Sequence, residues 1–371
     1  MPILVMIKML KALHFFCFWG SKKVAKWTCF RQVAANLLIL LGGTSCYVLK
    51  QAYIQNNLIN SRISLDLYRQ SSGASPKDLA KLNLVEEIIK FAQNEGLNGE
   101  GAYQYLIPIS GDAVTYIVQA APDDDLKFQT WWFPVVGTVP YLGFFEKSDR
   151  DREADKLRRA GLDIHISGAA AFSSLGWFDD PLYTPMLKHR DGILATLLFH
   201  ELTHRTLWIA GSVRFNENLA EFIGRTLGEK FLEVTGRASE LEFLRNYEAD
   251  RQALHGWITT LKSALQGIYR KNLPKSEMLQ MKAQVIQTAV ENQPKFKTFS
   301  RIKSDWNNAS ILATSLYAPS FPDFQKAFDC FKDRRRPIHS FLQSLQAAAK
   351  KSLDPFETLH SLCRTGSEGG T

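Results

Sequence analysis

The chain has 371 residues, of which 45% are hydrophobic and 12% aromatic, and its formal net charge is +8. That apolar content can build a real core, which excludes wholesale disorder, and the length admits one large domain or two modest ones. The basic excess is not gathered into a motif of interleaved aromatic and basic residues, so nucleic acid is not an expected partner.

Residues 2–19 form an apolar stretch broken by Lys8 and Lys11. A second, uncharged apolar run at 33–49 (VAANLLILLGGTSCYVL) follows Lys22, Lys23, Lys26 and Arg31. Positive charge ahead of an apolar run stays on the cytoplasmic side, so the chain beyond the run is expected to be exported. Residues 1–50 are therefore read as a targeting or membrane-anchor region, and 51–371 as one folded domain in the periplasm. The run is close to the short limit for a spanning helix. A signal anchor, a cleaved signal and a lipoprotein signal all stay open. The last rests on small residues, Gly43-Thr44-Ser45, directly before Cys46, with Gly43 standing where a lipid-attachment box usually has Leu. A buried core helix is the plainer alternative for both stretches.

Residues 51–91 read as helical with a break at Ser72-Gly73-Ala74-Ser75-Pro76. Residues 114–121 have the β-branched and aromatic content of a strand, and 131–145 (WWFPVVGTVPYLGFF) read as strands joined by tight turns. A charged helix over 148–160 and a strand over 162–172 come next. From Pro185 the chain reads as mostly helical to about residue 350, with breaks near 210–211, Gly236, 272–274 and 319–322. This order predicts a predominantly helical α+β domain with a small β-sheet. None of the five cysteines forms a CxxC pair, which excludes a cysteine-zinc knuckle. Cys330 and Cys363 either pair, if the body lies outside the cytoplasm, or remain buried thiols.

The chemistry concentrates at His200-Glu201-Leu202-Thr203-His204, an HExxH motif within ILATLLFHELTHRTLWI. Helical residues four apart share a face, so both imidazoles can reach one metal ion. Two imidazoles and a carboxylate on an otherwise apolar helix are costly unless something compensates them. Zinc lowers the pKa of a water it holds, and Glu201, one residue on, is placed to take that proton as the catalytic base. The third ligand is expected at Glu217, in Asn216-Glu217-Asn218-Leu219-Ala220-Glu221. Glu217, Ala220, Glu221 and Gly224 share a helical face. Repulsion between the two glutamates disappears if Glu217 binds zinc and Glu221 accepts a ring N–H from a ligating histidine. Ala220 and Gly224 would let this helix approach the first closely. A solvated acidic helix start is the bland reading of the same residues. The alternative pattern HExxHxxGxxH is excluded by Leu207 and Ala210.

These residues resemble the gluzincin metallopeptidases, whose third ligand lies in such a stretch on a second helix. More narrowly, the chain is similar to the putative aminopeptidase family of Gram-negative bacteria. The similarity is carried by Trp132-Phe133-Pro134-Val135-Val136-Gly137, Val139-Pro140-Tyr141, Ser174 to Pro181, His200 to His204, Asn216 to Gly224, Asn307-Asn308-Ala309 and Tyr317, with Cys46-Tyr47 and Gln51-Ala52 at its start. It covers roughly residues 46–350. The resemblance implies a zincin-like domain with one Zn2+ per chain and hydrolysis of peptide or unfolded-protein substrate at the cell envelope. An endopeptidase, or a non-catalytic envelope protein with a structural zinc, are the other readings.

Such enzymes need a donor for the oxyanion. Tyr317 is the first candidate, with Tyr247 and His255 as alternatives. Glu221 and Glu248 are candidates to capture a substrate amine, and the strand ending at 168–172 could bind peptide backbone by strand addition. His165, His189 and Arg334-Arg335-Arg336 are read as structural or solvated.

Overall fold

A computed structural model describes residues 45–71, 73–133, 137–169, 180–209, 212–271, 273–298, 305–316, 321–349 and 354–365. The first helix, α1 (Ser45–Asn60), leads into a short strand, β1 (Ile63–Ser64), and helices α2 (Leu65–Gln70) and α3 (Pro76–Glu95). The break predicted at 72–76 marks the start of α3. There Ser75 and Asp78 form a reciprocal capping box with Pro76 in the first turn. The helix runs past the expected end at 91 to Gly96, whose φ of 101° closes it in the left-handed region.

Strands β2 (Tyr105–Ile107), β3 (Thr115–Pro122), β4 (Trp131–Phe133), β5 (Gly137–Val139) and β6 (Leu142–Phe144) follow. Helix α4 (Lys147–Arg159) and strands β7 (Leu162–Ala169) and β8 (Leu182–Tyr183) complete the β-rich part. Among the described residues the strands form an antiparallel sheet of order β6-β3-β7, a mixed sheet of order β1-β2-β8 and the β4–β5 hairpin. The longest pairing runs from Thr115 opposite Ala169 to Pro122 opposite Leu162. One face of that sheet packs Val118, Ala120, Leu142 and Phe144 against Ala154 and Leu157 of α4.

The remainder is helical: α5 (Thr184–Leu187), α6 (Asp191–Thr206), α7 (Val213–Val234), α8 (Ala238–Tyr269), α9 (Lys275–Glu291), α10 (Asn308–Leu316), α11 (Phe321–Asp329), α12 (Pro337–Ala349) and α13 (Pro355–Thr365). The molecule is thus the mostly helical α+β protein that its element order predicts. The main core joins α3, α6 and α7 to α11, α12 and α13 through Ile88, Leu198, Phe199, Phe222, Phe231, Phe324 and Phe341. A second cluster, with Ile258, Leu261, Leu265, Met278 and Trp306, joins α8 to α9. No helix among the described residues is long and apolar enough to cross a membrane. The apolar run at 33–49 falls outside them up to residue 44, and Cys46 falls in the first turn of α1.

Arg336 is not merely solvated. It donates to the carbonyls of Gln93 and Asn94 at 3.1 and 3.2 Å and so caps the C-terminus of α3. Cys330 and Cys363 form a disulfide that ties the end of α11 to α13. It closes a loop with a sequence separation of 33 residues, which constrains the unfolded chain by about 3–4 kcal/mol. Replacing both cysteines with serine is expected to lower stability by that order. Denaturant titration of the oxidised wild type against the double variant measures it.

Candidate metal centre

Helix α6 is fixed at its start from two directions. Lys81 on α3 holds Asp191 at 2.5 Å and the carbonyl of His189 at 2.6 Å. Glu240 on α8 accepts from the Gly192 N–H at 3.2 Å, a carboxylate where the helix dipole favours one. Along the helix Leu194, Ala195, Leu198, Phe199 and Leu202 are buried, so the apolar stripe faces the core and His200 and His204 emerge beside it.

Helix α7 returns against α6 at close range because glycine permits it. A methyl group at Gly224 would stand 2.8 Å from the Thr196 carbonyl oxygen and 3.2 Å from the His200 nitrogen. At Gly228 it would stand 2.6 Å from the Thr196 hydroxyl. Ala220, between the ligand-bearing turns, is fully buried. The register of the return is set by Asn216. Its amide accepts from the Ile209 N–H at 2.9 Å and donates to the Ile209 carbonyl at 2.7 Å, clasping the connection just before Glu217.

The result brings together the three residues the motif spacing selects. His200 Nε2 and His204 Nε2 face each other at 3.1 Å. Glu217 presents one carboxylate oxygen to each, at 3.6 Å from His200 and 3.7 Å from His204. A tetrahedral ion with bonds near 2.0–2.1 Å has ligand-to-ligand edges of about 3.3–3.4 Å; the imidazole pair lies close to that value, and one ligand atom from each of the three residues lies within 4.8 Å of the others. Two imidazole nitrogens aimed at each other also share at most one proton, whereas a cation between them satisfies both lone pairs. Among the described residues no other His, Cys, Asp or Glu joins the group. The Glu217 side chain is 39% exposed and His204 only 5%, so the centre opens on the Glu217 side.

The surroundings favour positive charge there. Burial works against a charged His200, but Glu217 and Glu221 outweigh it and push the imidazole up to about 10. Burial likewise opposes charge on Glu217, yet the two histidines hold its carboxyl well below the usual range. Glu201 sits on the same helix, 9% exposed. Burial raises its carboxyl above the ordinary value, with the two histidines pulling the other way.

The two imidazoles are steadied differently. His200 Nδ1 faces Glu221 Oε2 at 3.6 Å, as the shared face of Glu217 and Glu221 anticipates. His204 Nδ1 is buried with no hydrogen-bond partner among the described residues. The Trp208 ring meets the His204 ring edge-on at 5.4 Å, so packing holds that ring.

Tyr317 lies outside the described residues. Tyr247, on α8, is half-buried and close enough to Arg251 and Glu221 to feel their charges, with burial raising its hydroxyl. Among the described residues no interaction brings His255 to the centre; its carbonyl accepts from Thr259 in the next turn of α8. Glu221 and Glu248 are both engaged by arginines, Arg251 and Arg225, so their charge is already offset. β7 is an edge strand of its sheet. Asn307 covers its edge at the Ile164 carbonyl, 3.0 Å away. Residues 170–172 of the expected strand fall outside the described residues.

Several residues around the centre carry no motif that spacing alone reveals. Arg205, one turn after Glu201, pairs with Asp180 at 3.1 Å, and both side chains are about 5% exposed or less. The Asp180 carbonyl in turn accepts from the Tyr103 N–H at 2.8 Å. Tyr103 takes a φ of 58°, uncommon for a residue with a side chain, and its buried hydroxyl has no partner among the described residues.

Fold and site together define a mostly helical α+β protein with a His, His, Glu group able to hold a metal ion. Residues 46–354 match the model of the family described as "Putative aminopeptidase", and the chain belongs to that family. No curated protein and no solved structure matches it.

Proposed function

We propose that the protein is a zinc-dependent peptidase of the gluzincin type with a zincin-like body, acting on peptides or unfolded chain ends at the bacterial cell envelope. The observation that carries this reading is the convergence of His200 Nε2, His204 Nε2 and the Glu217 carboxylate on one point, in a chain of an aminopeptidase family. One Zn2+ fits this donor set by ligand type and by separation. When bound, the ion would acidify a water molecule and polarise the scissile carbonyl. Three protein donors leave a coordination position for that work, whereas structural sites are usually closed by four.

Glu201 is the base. Its carboxylate takes a proton from the attacking water and returns it to the leaving amine. The low exposure of Glu201 keeps competing water away and strengthens every charge interaction around it. Glu221 holds His200 through Nδ1 and so fixes which ring nitrogen is left for the metal. Export to the periplasm is supported by the positive charges ahead of the apolar run in residues 1–50, and membrane attachment by that run as a spanning segment or by lipid on Cys46 after the small residues Gly43-Thr44-Ser45. The disulfide between Cys330 and Cys363 is in keeping with an oxidising compartment.

The test is metal content of the purified full-length protein and of Glu217→Ala. The expected result is about one zinc per wild-type chain and a large loss in the variant. A wild type that takes up no zinc when supplied with it would remove the reading.

A further inference from the structure

Helix α8 contributes no ligand to the group, yet one of its arginines reaches the centre at one remove. We propose that Arg251 is a positioning residue of the metal site, holding Glu221 in the orientation that fixes His200. The inference rests on the reading of His200, His204 and Glu217 as metal ligands.

The two oxygens of Glu221 have separate partners. Oε2 faces His200 Nδ1 at 3.6 Å, and Oε1 is taken by Arg251 Nη1. A carboxylate gripped at one oxygen cannot rotate freely about its last torsion, so the other oxygen stays aimed at the ring. Arg251 is itself held, with its Nη1 3.7 Å from Glu248 Oε2, one turn earlier on α8. The other Glu248 oxygen meets Arg225 Nη1 at 3.2 Å, and Arg225 Nε returns to Glu229 at 3.2 Å on α7. Charges of alternating sign thus run from α6 to α7, across to α8 and back to α7. Glu248 is only 5% exposed, a depth at which a carboxylate needs its partners.

Arg251 also answers a problem set on α7. Glu217 and Glu221 are four residues apart, and like charges at that spacing repel. The guanidinium offsets Glu221 at the oxygen that does not face His200. Its planar fork supplies direction as well as charge, which a lysine ammonium does not.

Charge and positioning predict opposite signs. Removing a cation near a metal site favours a bound cation by relieving like-charge repulsion, whereas releasing Glu221 loosens His200. A partner that touches a ligand directly, as Glu221 does, is worth roughly 10- to 100-fold in metal affinity, and the share of it that Arg251 controls exceeds what a partly exposed charge contributes through solvent. Positioning should therefore win.

The experiment measures zinc affinity of the full-length protein by chelator competition, with thermal unfolding of the zinc-free form alongside. Arg251→Met is expected to bind zinc about 10-fold more weakly, the lower end of what a partner touching the ligand is worth, and Arg251→Lys to recover part of the loss. Equal or tighter binding in Arg251→Met overturns the inference. So does a variant whose zinc-free melting falls while its zinc affinity stays at the wild-type value, because that is a purely structural role. If Arg251→Met does not fold, Glu248→Gln reads the same chain from the other side. It is expected to weaken zinc binding by a smaller factor, and unchanged affinity there counts against the proposal. Wild-type protein that binds no zinc at all would instead strike the metal reading, which keeps the two failures apart.

Discussion

Glu201→Gln is expected to abolish peptide hydrolysis while leaving zinc bound and the fold intact. Glutamine keeps the shape of the side chain and its place on α6, but it cannot accept a proton. A positioned general base contributes about 10²- to 10⁴-fold in rate, so turnover should fall by at least that range. The substitution is well chosen because Glu201 is buried at 9% exposure and carries no metal-facing role in the His200, His204 and Glu217 group. It also removes a negative charge that burial disfavours, so stability should hold or rise slightly. Peptide hydrolysis, zinc content and thermal unfolding of the same preparation check the three statements together. Activity at the wild-type level would remove Glu201 from the mechanism.

Gly224→Val is the second large effect, and it is a packing effect. The added Cβ would press on backbone, 2.8 Å from the Thr196 carbonyl oxygen and 3.2 Å from the His200 nitrogen. Backbone inside a helix cannot step aside as a side chain can, so α6 and α7 must separate. Overpacking of this kind costs about 1–3 kcal/mol, occasionally more. Because the obstruction lies at His200 itself, zinc affinity should fall with stability. Gly228→Ala provides the contrast. Its obstruction is the Thr196 hydroxyl at 2.6 Å, which sits on a rotatable side chain at the price of its bond to the Gly192 carbonyl. The milder loss expected there should leave zinc affinity close to wild type. Thermal unfolding and chelator competition on both variants separate the cases, and a Gly224→Val protein as stable as Gly228→Ala would refute the backbone argument.

The centre was legible because its logic is local. His200 and His204 are placed by the pitch of one helix, and Glu217 and Glu221 by the pitch of the next, so spacing alone carries the geometry. Gly224 too is readable, since a small residue on the ligand face is what a close helix pair requires. Long elements were legible for the same reason: β3 and α4 lie within one or two residues of their expected spans. The strands β1 and β8, two residues each, and β2, three residues, are too short for any alternation to register. A further helix, α13, lies past the expected end near 350, because a polar tail masks an amphipathic segment that packs Leu359 and Leu362 into the core. Arg251 and Arg225 were invisible for another reason, and Glu248 was marked only as a carboxylate that could capture an amine, not as their partner. An arginine on a helix is read as solvated until tertiary packing shows what it meets. Nothing local marks Tyr103 either, since its unusual backbone depends on Asp180 far along the chain. Arg336, one of three consecutive arginines, shows how a run of charge can hide a single capping contact.

The order of residues along the chain has a consequence for assembly. The three donors lie on consecutive helices joined by the short connection that Asn216 clasps, so they come within reach of one another as soon as α6 and α7 exist. Arg251 is made only with α8, and the disulfide can close only after Cys363 has been added. Chains are built from the N-terminus, and units can form as they emerge. On the proposed reading, a metal ion would be collected on the helical hairpin first and gripped afterwards, so that acquiring the ion and retaining it would be separate events in the life of the protein.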